Sequence, residues 1–273
     1  MKVFVGLSGG VDSAVSAALL QHEGAEVVGV FIQGWYPPGM PCTWQEDRRD
    51  AMRVAAHLGI PFYTLDASAE YKKSVIDYLL AEYAAGRTPN PDVMCNREVK
   101  FGAFYKFAME KGADFIATGH YLTGEKDQRY FLWAVPKEVL AKTLFPVGHM
   151  EKSGVRKLAR KFKLPVAKKK DSQGVCFLGP ISMKEFLMDE LGIVQTRQPV
   201  ATADSGVHFR EANWLLDSTR VKSAQVRYHG PLTPGHISNN TFIPNGALAE
   251  DAVHGQSIVF YDGDVCVGGG IIE

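Results

Sequence analysis

The sequence predicts an α/β protein, in which a doubly wound parallel sheet is followed by a small C-terminal antiparallel β-barrel. Three observations support this fold class. Apolar runs that suit strands alternate with helical periodicity through the first 120 residues. A glycine-containing segment joins the first strand to the first helix. After residue 211 the pattern changes to short strands separated by turn residues.

The alternation in the first part defines four strands and four helices. The predicted strands are 3–7, 27–32, 62–65 and 115–118, and the predicted helices are 14–22, 46–58, 68–85 and 104–111. A proline-rigid loop at 87–96 follows the long third helix. Because strands that alternate with helices form parallel sheets covered on both faces, ligands are expected at the carboxyl ends of the strands.

The chain divides into three parts that differ in hydrophobic periodicity and in composition. We predict a nucleotide-binding catalytic domain with a helical part at 1–191, a reduced central linker at 192–211 and a C-terminal β domain at 212–273. Short strands are expected at 214–216, 223–228, 247–249, 257–261 and 265–268. This pattern fits a barrel or a sandwich. Asp262-Gly263 predicts a hairpin with a type I′ turn, which needs positive φ at both central residues.

The composition is that of a globular protein with no overall positive field. Hydrophobic residues make up 46% and charged residues 22%, and 30 basic residues balance 30 acidic ones. A nucleic-acid site would therefore need a local basic patch. Residues 152–170 carry nine basic residues and no acidic one. Such a run is commonly a solvated helix face, and here it also fits contact with a phosphate backbone.

The ends and the cysteines favour a cytoplasmic protein. The chain begins with a strand-like run instead of a signal peptide, and no apolar stretch approaches the roughly 20 residues that span a bilayer. Its four cysteines are far apart and form no C-x-x-C pair, which argues against a zinc site. In a reducing compartment, thiols point to chemistry more than to structural bridges.

The segment Ser8-Gly9-Gly10-Val11-Asp12-Ser13 carries the clearest chemical signal. Two glycines allow a tight turn, and the N–H groups at the start of the following helix attract anions. Asp12 can hold a hydrated Mg²⁺. The segment lacks the Walker spacing and resembles the PP-loop ATPases, which cleave ATP to AMP and pyrophosphate. That superfamily includes amide synthetases, lysidine synthetases and sulfur transferases, so the loop alone leaves the substrate open.

Two of the cysteines lie in polar contexts that suit reactivity. Cys95 follows Asn90-Pro91-Asp92, and Cys176 follows a lysine cluster that favours the thiolate form. Cys266, within a predicted strand, is interpreted as an inert small hydrophobe. Cys42 is also interpreted as an inert small hydrophobe. The alternative is a position near the active site, because Cys42 lies in a Pro/Gly-rich loop.

Several segments together resemble the tRNA 2-thiouridylases, in the order of that family. They are Asn90-Pro91-Asp92-x-x-Cys95-Asn96, Lys100-Phe101-Gly102, Ala117-Thr118-Gly119-His120-Tyr121, Lys126-Asp127-Gln128, Asp171-Ser172-Gln173-Gly174-x-Cys176-Phe177 and the tail from Gly255-Gln256-Ser257 through Gly268-Gly269-Gly270-Ile271-Ile272-Glu273. The resemblance covers nearly the whole chain apart from about residues 192–211.

The resemblance implies a role for each matching position. The residues implied in ATP binding are Gly6, Leu7, Ser8, Gly9, Gly10, Val11, Asp12, Ser13, Ile32 and Gly119. Those implied in contact with the target base or the tRNA are Asn90, Pro91, Asp92, Lys126, Asp127, Gln128, Arg227 and Tyr228. Cys176 is implied as the persulfide carrier, Cys95 as its disulfide partner and Asp92 as an acid/base group, although an Asp in a turn is more often a cap.

The resemblance also implies the reaction and its partners. ATP and Mg²⁺ activate the C2 oxygen of the wobble uridine of Lys, Glu and Gln tRNAs, and a persulfide then replaces that oxygen with sulfur. The target base must leave the anticodon stack to be reached. A cysteine desulfurase or a sulfur-relay protein supplies the persulfide, and the resulting Cys95–Cys176 disulfide is reduced in each cycle.

This sequence departs from the family pattern at three places. Only Leu122 to Glu125 separate Tyr121 from Lys126, Arg129 precedes Tyr130, and the central domain is reduced to about 192–211. We therefore expect a compact thiouridylase that binds tRNA more weakly or borrows surface from a partner. Two alternatives stay open: an AMP-forming amide or lysidine-type ligase, which needs neither cysteine, and a non-catalytic nucleotide- or tRNA-binding relic.

Overall fold

The computed structural model describes residues 1–37, 44–170, 183–192 and 206–273. Contacts within the chain divide it into two compact units. We call the first the sheet unit; it contains the described parts of 1–72 and 138–182, together with 98–128. We call the second the barrel unit; it contains 73–97, 129–137 and the described part of 183–273. The predicted boundaries at 191 and 211 stay a prediction.

The described chain forms these elements in order: β1 Lys2–Gly6, α1 Val11–His22, β2 Glu26–Gln33, α2 Trp44–Leu58, β3 Phe62–Asp66, α3 Ser68–Tyr71, a π-helical segment Lys72–Asp77, α4 Tyr78–Ala84, α5 Pro91–Met94, a second π-helical segment Cys95–Ala103, α6 Phe104–Glu110, β4 Phe115–Ala117, 3₁₀ turns Gly124–Lys126 and Arg129–Phe131, α7 Lys137–Leu140, β5 Thr143–Leu144, α8 Lys152–Lys161, α9 Met183–Leu191, β6 Val207–Trp214, a 3₁₀ turn Ser218–Arg220, β7 Ser223–Gln225, β8 Thr233–Ser238, β9 Thr241–Pro244, β10 Ser257–Asp262 and β11 Val265–Ile272. None of the described helices combines the length and apolarity that crossing a bilayer requires.

The sheet unit is built on a five-stranded parallel sheet in the order β3-β2-β1-β4-β5. The central strand β1 is buried, and its Val3 and Val5 belong to a core with Val15 of α1 and Val155 of α8. A strand that is buried on both faces has a continuous apolar sequence, and this is why β1 could be predicted from the sequence. The predicted parallel sheet with helices is confirmed.

Helical structure extends further than predicted in the middle of the chain. The loop expected at 87–96 contains α5, which continues through the second π-helical segment into α6. The reason is local, because the Oδ1 atom of Asn90 accepts hydrogen bonds from the backbone N–H groups of Asp92 and Val93, and Pro91 occupies the first helical position. Asn followed by Pro is a helix start here, and the expectation of a loop throughout was wrong.

The C-terminal part is a closed antiparallel barrel in the order β10-β11-β6-β9-β8-β7. Its core includes Phe209, Phe242 and Phe260. The first strand begins at Val207, earlier than the expected 214, and the alternation of buried Val207 and Phe209 with exposed His208 is the pattern of a half-buried strand. No strand forms at 247–249, where one was expected, and strands β8 and β9 had been missed because they contain prolines.

The last hairpin has a different turn from the one predicted. Asp262 pairs with Val265, so the central residues are Gly263 and Asp264. Gly263 has φ of 59°, whereas Asp264 is outside the left-handed region. The type I′ assignment was therefore wrong, because that turn needs positive φ at both central residues.

Candidate active site

The phosphate loop lies at the carboxyl end of β1, in the sheet unit, and leads directly into α1. Gly9 has φ of 76°, and a Cβ atom placed on it would lie 2.3 Å from the backbone oxygen of Asp47. The helix N-cap is Gly10, and no side chain among the described residues caps the helix there. Its first N–H groups and its dipole are therefore available to a bound anion.

The two serines of the loop fix its shape. The Oγ atoms of Ser8 and Ser13 lie 3.2 Å apart, and the backbone N–H of Ser8 donates to the Oγ atom of Ser13 over 3.2 Å. The Ser8 Oγ atom also accepts from the backbone N–H of Gly10 over 3.3 Å. These bonds hold the loop in one shape around its glycines, and a loop held in this way loses less conformational entropy when it binds an anion.

Asp12 forms an ion pair with Lys152, a residue far away in the sequence. The Lys152 Nζ atom lies 2.7 Å and 2.9 Å from its two carboxylate oxygens, and the Tyr121 hydroxyl donates to it over 2.7 Å. Gln128 holds Tyr121 in turn, because its Oε1 atom accepts from the Tyr121 backbone N–H. The sequence indicated Lys152 only as one member of a basic run, and no local pattern connects it with Asp12.

Gly119 and Ile32 also lie beside this loop. A Cβ atom on Gly119 would be 2.8 Å from the backbone nitrogen of Ser13, so only glycine allows this close approach. The Ile32 Cδ1 atom lies 3.9 Å from the Cβ position of Gly6. The ATP-binding positions expected from sequence thus come together in the sheet unit.

His120 follows Gly119 and is buried between Phe101 and Phe145. Its Nδ1 atom is 2.8 Å from the hydroxyl of Thr118. Burial, with a smaller effect from the charge of Lys100, lowers the pKa of His120 to about 3. The ring is therefore neutral near pH 7 and has a structural place beside the loop.

The cysteine segment belongs to the barrel unit. Asp92 is exposed in the first turn of α5, and Cys95 lies at its end with only 5% of its surface exposed. Cys176 and Cys42 lie outside the described residues. Cys266 is half-buried in β11, and neither Cys95 nor Cys266 forms a disulfide with another described residue.

The expected tRNA contacts divide between the units. Arg227 is exposed and lies 3.6 Å from Glu250, while the ring of Tyr228 lies 4.4 Å from that of Phe131. These residues are in the barrel unit, as is Asn96, whose Nδ2 atom donates to the Phe131 carbonyl. Residues 126–128 are in the sheet unit.

Divalent cations have few protein ligands at this site. Among the described residues, no group of three or more His, Cys, Asp and Glu side chains is placed to hold a metal ion. Asp12 supplies one carboxylate, which fits Mg²⁺, because this ion keeps several waters and takes its remaining ligands from substrate phosphates.

Residues 1–180 match the family model described as "tRNA methyl transferase HUP domain", and residues 205–272 match "Aminomethyltransferase beta-barrel domain". A tRNA-specific 2-thiouridylase MnmA of Christiangramia forsetii is 50% identical over 213 residues, 70% of this chain and 54% of that protein. Another, from Enterococcus faecalis, is 36% identical over an alignment of 355 positions, gaps included, which covers 100% of this chain and 95% of that protein. A solved 4-thiouridine synthetase in complex with RNA and ATP has a TM-score of 0.47 at 22% identity, covering 66% of this chain and 45% of that one.

A parallel sheet in which the first strand of the chain leads through the loop Ser8-Gly9-Gly10-Val11-Asp12-Ser13 into a helix is the arrangement of the PP-loop class of nucleotide-binding proteins. Within that class, the chain belongs to the tRNA-specific 2-thiouridylase family. It spans about half the length of the first curated relatives that it matches. The alignment with the Enterococcus faecalis protein has 355 positions against 273 residues here, so that relative contains residues that this chain lacks.

Proposed function

We propose that this protein is an ATP-dependent tRNA-uridine 2-sulfurtransferase, which replaces the C2 oxygen of the wobble uridine with sulfur. The observation that carries the proposal is the glycine-turned loop at Gly9-Gly10, which leads into a helix start that no described side chain caps, in a chain of this family. The relatives' names supply tRNA and 2-thiouridine, and we propose tRNAs of the Lys, Glu and Gln type as substrates. The cytoplasm is the proposed location.

The residues of the sheet unit would prepare the uridine for substitution. ATP supplies the adenylyl group that makes the C2 oxygen a good leaving group. The N–H groups at the start of α1 would bind the phosphates, and Ser8 and Ser13 would add hydroxyl donors. Asp12 would hold a hydrated Mg²⁺, and Lys152 is close enough to exchange its carboxylate partner for a phosphate oxygen.

The two cysteines would then transfer the sulfur. The terminal sulfur of a Cys176 persulfide attacks C2, and AMP leaves with the former C2 oxygen. The Cys95 thiolate next attacks the Sγ atom of Cys176, which leaves the terminal sulfur on C2 and forms a Cys95–Cys176 disulfide. An external dithiol restores both thiols. Asn90, Pro91 and Asp92 would contact the extruded base, with Asp92 orienting a proton or water.

Reconstitution with ATP, Mg²⁺, a persulfide source and unmodified tRNA tests this function. The expected result is AMP, pyrophosphate and 2-thiouridine in tRNA, measured by mass spectrometry of digested nucleosides. Cys95→Ser is expected to abolish thiolation, while Cys266→Ser, a matched change at a half-buried barrel thiol, leaves it unchanged. Full thiolation by both Cys95→Ser and Cys176→Ser proteins would refute the two-cysteine mechanism.

The same experiment separates the alternatives. A lysidine-type or amide ligase would form AMP and a new amide or amidine bond in both cysteine variants. A relic that only binds nucleotide or tRNA would form no AMP with any tRNA offered. The persulfide donor is proposed to be a cysteine desulfurase or a sulfur-relay protein, and replacing it by inorganic polysulfide, which already carries sulfur at the oxidation level of a persulfide, measures how strongly transfer depends on that partner.

A further inference from the structure

A buried glutamate connects the cysteine segment to the barrel. Glu82, in α4, is 6% exposed and accepts two hydrogen bonds from Arg87, with N–O distances of 2.7 Å and 2.5 Å. The Arg210 Nη2 atom, from β6, lies 3.2 Å from the same carboxylate. The hydrogen bonds from Arg87 are the main reason that the pKa of Glu82 is lowered, so this carboxylate is charged near pH 7.

The same ionic network reaches the other side of the cysteine segment. Arg210 also pairs with the neighbouring Glu211, whose Oε2 atom lies 3.6 Å from the Nη1 atom of Arg97. Arg87 precedes Asn90 by three residues, and Arg97 follows Cys95 by two. Two consecutive residues of one barrel strand therefore connect to chain on both sides of the segment 90–95.

A bulge in β6 makes this arrangement feasible. Along β11, Gly269 and Ile271 pair with Asn213 and Arg210, so β6 contains one residue more than its partner. Glu211 lies within the bulge at φ of 51°, in the left-handed region that a non-glycine residue seldom adopts. In a regular strand, successive side chains point to opposite faces, and a bulge changes their direction, which lets both charges join one network.

Hydrogen bonds from the barrel also hold the backbone just before the segment. The Thr88 N–H donates to the carbonyl of His254 over 2.8 Å. The Gln256 Nε2 atom donates to the carbonyl of Thr88 over 2.7 Å. All these contacts lie within the barrel unit, which also contains Arg227 and Tyr228.

We infer that the bulged strand β6 is a positioning element for the cysteine segment, and that Arg210 and Glu211 are positioning residues for Cys95. The barrel thus has a second role besides the tRNA contact that the family resemblance implies for Arg227 and Tyr228: it fixes the thiol that completes sulfur transfer. The catalytic meaning of this inference rests on the proposed function. The physical claim, that β6 restrains Cys95, does not depend on it.

Peptide-resolved alkylation of the intact protein tests the restraint directly. Arg210→Met removes the central cation, and Glu211→Gly removes the carboxylate while suiting the left-handed backbone, so this second variant is expected to fold even if the first does not. Because Cys95 reacts only when its segment opens, Arg210→Met is expected to raise the rate of Cys95 alkylation by iodoacetamide about tenfold. Glu211→Gly is expected to raise it about two- to fivefold, since the pair with Arg97 is partly exposed. The rate at Cys266 is expected to stay unchanged.

Arg220→Met is the matched control, because it breaks an arginine–aspartate pair of 3.0 Å with Asp262 in the same barrel, away from the segment. A Cys95 rate in Glu211→Gly equal to that of this control, or an equal rise at Cys266, would overturn the inference. If the enzyme thiolates tRNA, the two variants should lower kcat with an unchanged KM for ATP, and Arg210→Lys should partly rescue kcat. If alkylation responds but the wild type thiolates no tRNA, the restraint stands and the proposed function fails.

Discussion

Replacing Gly119 by alanine is expected to damage nucleotide binding through a single added methyl group. The new Cβ atom would lie 2.8 Å from the backbone nitrogen of Ser13 and 3.0 Å from the carbonyl carbon of Asp12. These are backbone atoms in the first turn of α1, so no flexible side chain can move aside. Gly119 itself has an ordinary backbone conformation, so the expected effect is steric and not a loss of conformational freedom.

The magnitude follows from the cost of overpacking. Inserting a methyl group into a closely packed site costs about 1–3 kcal/mol, which corresponds to about 5- to 150-fold in the dissociation constant if the strain appears when ATP binds. Isothermal titration calorimetry with ATP and Mg²⁺ measures this constant without requiring tRNA. Thermal unfolding of the apo protein shows how much of the strain is already present without nucleotide.

Gly154→Ala provides a matched control within the sheet unit. The Cβ position of Gly154, in α8, has no neighbouring atom within 4 Å, and alanine favours helix by up to about 1 kcal/mol over glycine. This variant is expected to bind ATP like the wild type and to unfold at the same temperature or slightly above it. Wild-type ATP affinity together with wild-type thermal stability in Gly119→Ala would refute the steric argument.

Two further changes test the surroundings of the loop. Lys152→Met removes the cation beside Asp12 and is expected to weaken ATP binding about tenfold or more, as loss of a charge-assisted hydrogen bond does. Lys157→Met, on the exposed face of the same helix, should change ATP binding little. Equal dissociation constants for ATP in the two variants would contradict a phosphate role for Lys152. The pKa of His120 is lowered in the folded state, so its contribution to stability is complete above about pH 6.5 and decreases by about 1.4 kcal/mol per pH unit as the pH falls towards 3. His120→Gln should therefore reduce the fall in the free energy of unfolding, measured with urea, as the pH decreases from 6.5 towards 3. His236→Gln, at an exposed position, should not have this effect. An unchanged pH dependence in His120→Gln would refute the lowered pKa of His120.

The phosphate loop could be predicted from sequence because its parts are neighbours along the chain. Ser8, Gly9, Gly10 and Ser13 are adjacent residues, and the strand and helix on either side have strong periodicity. The helix start at Asn90-Pro91 is equally local. Two prolines close together suggest a loop, whereas Asn at the N-cap followed by Pro at the first helical position predicts a helix, and the structure follows the second pattern.

The ionic contacts could not be predicted in the same way. Lys152 is 140 residues from Asp12, and Arg210 is 128 residues from Glu82. A lysine in a basic run or an arginine in a polar stretch has no local feature that identifies its partner. The bulge at Glu211 is hidden for a related reason, because a glutamate at positive φ gives no sequence signal, whereas a glycine would have indicated a bulge.

The division into two units shows which parts of the chain restrain the cysteine segment in this shortened member of the family. The family models separate residues 1–180 from 205–272, yet the barrel unit takes in 73–97 and 129–137 from the first of these regions. The contacts described above that restrain the cysteine segment come from 82–97, from Phe131 and from the described barrel residues 206–273. This chain therefore forms them although it lacks positions that the Enterococcus faecalis protein contains. Loss of those positions should accordingly reduce the affinity for tRNA more than the rate of the sulfur-transfer step.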